Sequence, residues 1–467
     1  MNNYGQENVS QTSKQGWFKH IWPFTGVESQ RTFYFSVIFS CIIFSYSIIK
    51  PLKDTIFIGF IGPSYLPWAK LLMLASLPIF MPLYSAADNK EKRNRAIMIF
   101  STFYGLVCLI FAVLFLSPTM GIANTATGPG RILGWIFYAI MDFFSIAVVA
   151  TFWAMINSIS TPNTAKKQYG IMVAASRGLG AIAAGLGTVL TWIGIKDTTS
   201  IPTMIALAGI SLVLCTFLAH KMFKKIPQDH LKGYSDEHEK DKSKSSVPKN
   251  AWSNLKTLVT RPYTFGMFWL LCSFELISAL MNYRMQCLIA QSAKTIGGIG
   301  KFMFAYTFIF QILGLLLALF GTTKLLKNFG VRFSLLLTPL IVLLLSFSLV
   351  FLNNLAVITT LMISLRTLNY SLDVPVKEIL FIPTTHNIQY QVKGWIASFG
   401  KTISKTTGSL FNGIAATASA RIFLRTVTYA PIVLSFFWIL TAFIVGKTYK
   451  KAIDAGAVIG EDDVSTE

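Results

Sequence analysis

The chain has 467 residues, of which 53% are apolar and 13% are charged, and its formal net charge is +21. Soluble domains carry about 25% charged residues, so this composition excludes an ordinary soluble globular protein. Apolar runs of about 20 residues, each long enough to cross a lipid bilayer as a helix, recur along the whole chain. We therefore predict an all-α polytopic membrane protein.

Residues 1–30 lack the apolar core of a secretory signal peptide, so we interpret them as a cytoplasmic tail and expect the first apolar run to remain as a membrane helix. About twelve transmembrane helices are predicted after this tail. In chain order they span about 32–50, 64–87, 96–118, 131–159, 169–195, 200–223, 262–290, 302–325, 331–352, 355–374, 394–418 and 430–448.

Lysine and arginine residues are concentrated in alternate loops. They cluster at residues 90–95, at Lys166 and Lys167, in the segment 224–260 and after the last helix. The positive-inside rule then places both termini in the cytoplasm. We expect these loops to account for most of the net charge, with a cationic interior as the second source.

The segment 224–260 divides the predicted helices into two groups of six. We assign residues 31–223 to an N-terminal half, 224–260 to a basic cytoplasmic linker, 261–448 to a C-terminal half and 449–467 to a cytoplasmic tail. This is the plan of the major-facilitator architecture, in which two six-helix halves rock about a site near the midplane. Binding of the linker to anionic lipid headgroups is the alternative to a simple solvated connection.

Charged residues follow the apolar part of helix 1. Pro51 is expected to break or kink this helix, which would leave Lys53 and Asp54 at a broken helix end. They could contact a substrate or a gate there, because charges inside a membrane protein usually line a cavity. A lysine that snorkels to the interface is the equally weighted alternative.

Three further charges lie inside apolar runs, and each needs a partner in hydrocarbon: Asp142, Arg177 and, in helix 7, Glu275. Asp142 in helix 4 is interpreted as a structural ion-pair partner, with proton relay as the alternative. Arg177 in helix 5 is a candidate for bidentate phosphate contact, with pairing to Asp142 or Glu275 as the alternative. The small residues that follow Arg177, up to Gly187, favour close helix packing.

The densest group of cations lies between residues 366 and 408. Arg366 and Tyr370 lie in helix 10, and Arg366, Asp373 and Lys377 would share one face if that helix continued. Pro375 makes a break in the helix the expected outcome.

Two further lysines of this group lie in helix 11. Lys401 and Lys405 are four residues apart and therefore share a face, where they could hold a phosphate chain.

Several enzymatic motifs are excluded. The segment 394–402 resembles a phosphate-binding loop, but five residues instead of four separate its glycines and no strand precedes it. The five cysteines lack Cys-x-x-Cys spacing, and no nucleophile or metal cluster stands out. We therefore expect neither an enzyme, nor a metal, nor a cofactor.

Two parts of the chain resemble the nucleotide (ATP/ADP) transporter family of obligate intracellular bacteria and plastids. The segment from Tyr46 to Asp54 is similar to that family's pattern Tyr-x-x-(Leu/Ile)-Arg-x-x-Lys-Asp. Further fragments of the family pattern occur here in the same order: Tyr370-Ser-Leu, Lys377-Glu378, Ile382-Pro383, Val392-Lys393-Gly394 and Lys405-Thr-Thr-Gly408.

The resemblance implies twelve helices and exchange of nucleotides across a membrane, with Lys53 and Lys405 contributing to nucleotide binding. Arg366 falls where the family usually has a basic residue. The chain departs from the family in four places. Asp142 replaces a glutamate, Glu275 lies more than one turn from the family's helix 7 glutamate, and Arg177 stands where asparagine is usual. The final motif reads Ser-Lys-Thr-Thr-Gly at residues 404–408, where the family has Gly-Lys-Ser-Gly-Gly.

We hypothesise a secondary transporter that exchanges nucleotides, ATP for ADP in the first instance, by alternating access. The candidate substrate-binding residues are Lys53, Arg177, Arg366, Lys405, Lys401, Lys377, Tyr46 and Tyr370, with Phe152 as a further stacking residue. The candidate coupling or charge-pairing residues are Asp54, Asp142 and Glu275.

Two alternatives remain at this point. One is the same fold transporting NAD, other nucleotides or an organic phosphate, with or without coupled protons. The other is a membrane receptor that binds its ligand without transporting it.

The expected partners are the nucleotide and the lipid bilayer, without nucleic acid or an obligate protein partner. The expected location is a bacterial inner membrane.

Overall fold

The structure is a computed structural model. It describes residues 26–87, 93–159, 162–227, 260–293, 295–385 and 400–460, together with Leu258, Ile388, Val392, Lys393 and Ile396. Most of the predicted tails and linker, several loop cations and much of the start of predicted helix 11 lie outside these residues.

Six helices make up the described N-terminal half. They are α1 (Gly26–Phe60), α2 (Leu66–Ala87), α3 (Arg93–Phe115), α4 (Ile132–Asp142, a π-helical turn Ser145–Ala150, and Thr151–Ile159), α5 (Pro162–Trp192) and α6 (Asp197–Lys225). A short 3₁₀ turn, Pro63–Tyr65, joins α1 to α2.

The C-terminal half repeats this all-helical plan. Its helices are α7 (Pro262–Ser292), α8 (Ile296–Leu316, extended by a π-helical turn Leu317–Gly321), α9 (Thr322–Phe351), α10 (Leu355–Leu368, a π-helical turn Asn369–Asp373, and Val374–Leu380), α11 (Lys401–Ala418) and α12 (Ala420–Ala455). Within α9 the backbone kinks at Gly330, whose φ of 74° suits a glycine.

The helices confirm a polytopic all-α membrane protein. Among the described residues, 10 helices are long and apolar enough to cross a membrane. The helices α2 and α11 are not among these 10, although they lie where spans 2 and 11 were predicted. The exact number of twelve spans therefore stays a prediction.

The predicted break of helix 1 at Pro51 is wrong. The helix α1 runs for 35 residues with Pro51 inside it. Proline is tolerated in transmembrane helices because neighbouring helices and local side chains can compensate the lost backbone hydrogen bond. As a result, Lys53 and Asp54 lie within a continuous helix, where each is only 8% exposed.

Small residues of α5 allow the two halves to approach closely, as their pattern predicted. A side chain at Gly187 would lie 2.5 Å from the Phe304 ring of α8, and one at Gly180 would lie 3.0 Å from Gln311 Nε2, also of α8. The α5–α8 interface therefore depends on glycine to bring the N-terminal and C-terminal halves together.

We call the end of the bundle at which α1 begins the near end, and the opposite end the far end. At the far end, Asp197 at the start of α6 accepts a hydrogen bond of 2.8 Å from the Gly297 N–H of α8. Gly413 of α11 lies against Pro67 of α2 at the same end. These contacts join the two halves at the far end.

Candidate functional site

A central cavity lies between the two halves. It is lined by α1, α7, α8 and α10, so both halves contribute to it. The lining residues are Tyr46, Ser47, Lys50, Pro51, Asp54, Asn282, Met303, Tyr306, Thr307, Phe310, Gln311 and Arg366. The wall thus combines aromatic faces, neutral hydrogen-bonding groups, two cations and the carboxylate of Asp54.

The helix α1 supplies one continuous wall of the cavity. Tyr46, Lys50 and Asp54 follow one another at four-residue spacing and therefore share a face. The ammonium group of Lys50 lies 5.2 Å from the centroid of the Tyr46 ring. The sequence interpretation missed Lys50, although this spacing and the arginine in the matching family pattern could have identified it.

Arg366 enters the cavity from α10. It is only 9% exposed, and its guanidinium carbon lies 6.0 Å from the Tyr306 ring centroid. Its Nε has no hydrogen-bond partner in the part of the chain that the structure describes. A buried guanidinium with an unused donor is suited to bind an anion.

Lys53 belongs to a buried ion network beside the cavity. Its Nζ lies 3.0 Å from Asp54 Oδ1 and 2.9 Å from Asp142 Oδ1. Its ammonium group also lies 3.9 Å from the Tyr138 ring centroid. The predicted pairing of Asp142 with a cation is confirmed, whereas the alternative in which Lys53 snorkels to the interface is wrong.

Asp54 extends this network into the other half. Gln286 of α7 donates a hydrogen bond of 2.8 Å to Asp54 Oδ2. Lys70 of α2 also lies within electrostatic range of Asp54 and Asp142. The charge of Lys53 is therefore largely compensated by protein groups.

Arg177 lies outside the cavity lining and joins the two halves. Its Nη2 donates to the Tyr370 carbonyl oxygen at 3.4 Å, and its guanidinium carbon lies 5.9 Å from the Tyr370 ring centroid. Among the described residues it pairs with neither Asp142 nor Glu275. The alternative that predicted such a pair is wrong.

The π-helical turn of α10 explains why this carbonyl accepts from Arg177. The Val374 N–H donates to Asn369 and not to Tyr370, as an α-helix would require. The next residue, Pro375, has no N–H to give. The Tyr370 carbonyl therefore lacks these two helical donors, and Arg177 supplies a donor from the opposite half.

Lys377 does not reach the cavity. It lies 3.9 Å from Asp373 Oδ2 and donates to the Leu270 carbonyl at 3.4 Å, while Thr338 donates to Asp373 Oδ1 at 2.6 Å. The expected break at Pro375 is wrong, because α10 continues through it to Leu380. The π-helical turn shifts the helical phase between Arg366 and Asp373, so the helix does not present the three residues on one face.

The two lysines of α11 lie towards the cationic part of the cavity. Lys405 lies 3.9 Å from Glu275, and its side chain remains 55% exposed. It is within electrostatic range of Lys50, and Lys401 is within range of Tyr46 and Tyr370. This group is therefore more cationic than anionic.

The candidate stacking residues differ in accessibility. Tyr370 is 42% exposed, and Tyr46 lines the cavity, with its ring 6.2 Å from that of Phe144. Phe152 is fully buried and stacks on Phe39 at 4.7 Å. Of these three candidates, the two tyrosines can therefore offer a ring face to a ligand in this arrangement, and Phe152 cannot.

The sequence matches the family model of the TLC ATP/ADP transporter over residues 7–127 and 132–449. The chain belongs to this family. Its members are transporters, so the expectation that the chain is not an enzyme is confirmed.

Two relatives illustrate the range of this family. The chain is 23% identical to ADP,ATP carrier protein 1 of Chlamydia pneumoniae over 450 residues, which cover 84% of this chain and 85% of that protein. It is 26% identical to ADP,ATP carrier protein 4 of Rickettsia bellii over 171 residues, or 32% of each chain.

Solved structures support the same architecture. The inward-open xylose transporter XylE of E. coli covers 89% of this chain and 95% of its own, with a TM-score of 0.58 and 12% identity. A bacterial homologue of the iron transporter ferroportin, in an inward-facing state, covers 91% and 98%, with a TM-score of 0.55 and 12% identity. At this identity they show the fold alone, and they confirm the major-facilitator-like prediction.

Proposed function

We propose that this protein exchanges nucleotides across a membrane by alternating access, with ATP and ADP as its principal substrates. The observation that carries the proposal is the cationic cavity between the two halves. Lys50 and Arg366 line it, and Lys401 and Lys405 lie close to it. Membership in an ATP/ADP transporter family supports the same substrate class.

The phosphates would bind among these cations. Arg366 offers a planar set of donors that fits phosphate oxygens, while the lysines act as point charges. Glu275 faces Lys405 and would hold that lysine when the site is empty. Tyr46 and Tyr370 would stack against the base or ribose.

Lys53 and Arg177 have different parts in this proposal. The Lys53 ammonium would bind substrate only after exchanging one of its carboxylate partners, Asp54 or Asp142, and this exchange could couple binding to rocking of the halves. Arg177 would reach phosphate only after breaking its hydrogen bond to the Tyr370 carbonyl. Lys377 is the weakest candidate because Asp373 faces it.

The excess of cations gives a physical reason for exchange. Carrying an uncompensated charge through the bilayer centre costs roughly 2.5–3.5 kcal/mol even on lenient scales. A loaded site, in which phosphate charges balance the cations, avoids this cost. The empty protein would therefore reorient slowly, and transport in one direction would require a nucleotide in the other.

We further place the protein in a bacterial inner membrane with both termini in the cytoplasm. The basic clusters of the sequence support this orientation through the positive-inside bias. In that orientation the near end faces the cytoplasm.

A thermal unfolding panel tests the ligand class. The purified protein is heated with ATP, ADP, NAD, glucose 6-phosphate or adenosine. A ligand at 100 times its Kd stabilises the folded state by about 2.7 kcal/mol, so ATP and ADP should raise the Tm while adenosine should not. A shift with NAD alone would contradict the assignment of ATP and ADP, and a shift with the sugar phosphate alone would contradict the nucleotide assignment.

A matched pair of variants tests the site. Arg366→Gln should remove most of the Tm shift given by ATP, because it removes a buried cation from the cavity wall. Arg425→Gln changes an exposed arginine of α12 and should keep that shift. Equal shifts in both variants would show that the nucleotide binds elsewhere.

A further inference from the structure

Three carboxamide side chains lie in or beside the central cavity, and two of them are already engaged. Gln286 donates to Asp54 at 2.8 Å, and Gln311 donates to Ser47 at 3.2 Å. Asn282 lines the cavity, and its side chain makes no hydrogen bond to another described residue. Its amide and carbonyl are thus available to a ligand.

Charge within the cavity orients a nucleotide. Gln286 follows Asn282 by four residues on α7, so both share a face and Asn282 lies about one turn from the Asp54 contact. The Asp54 carboxylate repels phosphate from that side. Phosphate is attracted to the opposite side of the cavity by Lys50, Arg366 and the α11 lysines. The base would therefore point towards Asn282.

The chemistry of a carboxamide fits an adenine edge. Asn282 carries a donor beside an acceptor, and adenine carries an amino group beside a ring nitrogen that accepts. At the corresponding edge, O6 and N7 of guanine are both acceptors, so a carboxamide can satisfy only one of them. Phe310 and Tyr46 provide flat apolar surfaces in the same cavity.

We propose that Asn282 reads the nucleobase and makes the site prefer adenine to guanine nucleotides. This inference rests on the proposed function, and it assigns one residue of the same cavity to base selection. The phosphate-binding residues then determine the affinity for the phosphate chain of the nucleotide, while Asn282 determines which base is preferred.

The test is the ratio of Kd values for ATP and GTP, measured on the purified protein. Asn282→Asp replaces the amide donor with a second acceptor, which suits the adjacent N1–H and N2 amino donors on the Watson–Crick edge of guanine. A bidentate contact to a base is worth about tenfold in discrimination, so the ratio should move towards GTP by about that factor. Asn282→Ala should bring the two Kd values close together.

Asn354→Asp is the matched control. Asn354 caps the start of α10, where its side chain accepts a hydrogen bond from the Val357 N–H at 3.0 Å. Aspartate can make the same cap, so this variant should keep the ATP to GTP ratio. If Asn282→Asp does not fold, the Asn282→Ala variant still decides the question.

The outcomes separate the two proposals. If the wild-type protein binds nucleotides but the ratio is the same in the Asn282 variants, the assignment of Asn282 is overturned and the proposed function stands. If the wild-type protein binds no nucleotide, both are overturned.

Discussion

Neighbouring lysines on α1 have different surroundings and therefore different roles. Lys50 lines the cavity beside Tyr46, whereas Lys53 lies between the carboxylates of Asp54 and Asp142. The sequence indicated a charged partner for Asp142, because an isolated carboxylate in an apolar run needs one. It could not show that Lys50 faces the cavity, since that depends on α1 continuing through Pro51.

Substitution of these two lysines should separate binding from stability. Lys50→Gln should weaken ATP binding by about tenfold, since it removes one charged contact, and should leave the Tm nearly unchanged. Lys53→Gln removes the cation between Asp54 and Asp142 and should destabilise the protein by about 2 kcal/mol. This is less than for a fully buried pair, because the Asp142 side chain is 37% exposed and Gln286 still donates to Asp54.

Thermal unfolding and isothermal titration of the same samples check both expectations. The double variant Lys53→Gln/Asp142→Asn should recover part of the lost stability, because it removes one of the unpaired charges. A large loss of stability in Lys50→Gln, with ATP affinity intact, would contradict the division between the two lysines.

At the scale of elements, the π-helical turn of α10 determines several contacts that the sequence pattern did not predict. The positions of the helices could be predicted from apolar runs and turn residues. The π-helical turn could not be predicted, because it depends on which missing backbone hydrogen bonds are replaced by donors from neighbouring helices. It directs Asp373 towards Thr338 and opens the Tyr370 carbonyl to Arg177.

The contact between Arg177 and Tyr370 lies near the middle of α5 and α10 and should limit separation of the two halves on the near side. A methyl group at Gly314 would lie 2.6 Å from Arg177 Nη1, so Gly314→Ala should displace the guanidinium. Spin labels at Gly170 and Ile382, on a background without native cysteines, should then report longer distances by pulsed electron resonance. Arg177→Gln should have the same effect.

Gly178→Ala is the control for this prediction. It makes the same chemical change in α5 next to Arg177, but the added methyl group meets no atom within 4 Å. The distance distribution should remain that of the wild type. Equal distributions in Gly178→Ala and Gly314→Ala would contradict a role for the Arg177 contact in closure.

At the scale of the whole molecule, the described helices of the two halves enclose a cationic cavity. Hydropathy and loop charge predicted this plan, because membrane helices must satisfy their own backbone and are long and apolar. The shape of the cavity could not be predicted, since Arg366, Lys50 and Asn282 come from helices far apart in the chain. The family resemblance indicated Lys53 and Lys405, but it did not indicate that protein carboxylates already compensate Lys53.

Counter-exchange in lipid vesicles tests the central claim most directly. The protein is reconstituted, the vesicles are loaded with ADP or left empty, and uptake of labelled ATP is followed. Because the empty cationic site reorients slowly, uptake should be at least about tenfold faster into loaded vesicles. Equal uptake into loaded and empty vesicles would contradict obligatory exchange, and failure of ATP, ADP, other nucleotides and NAD to enter either would contradict nucleotide transport itself.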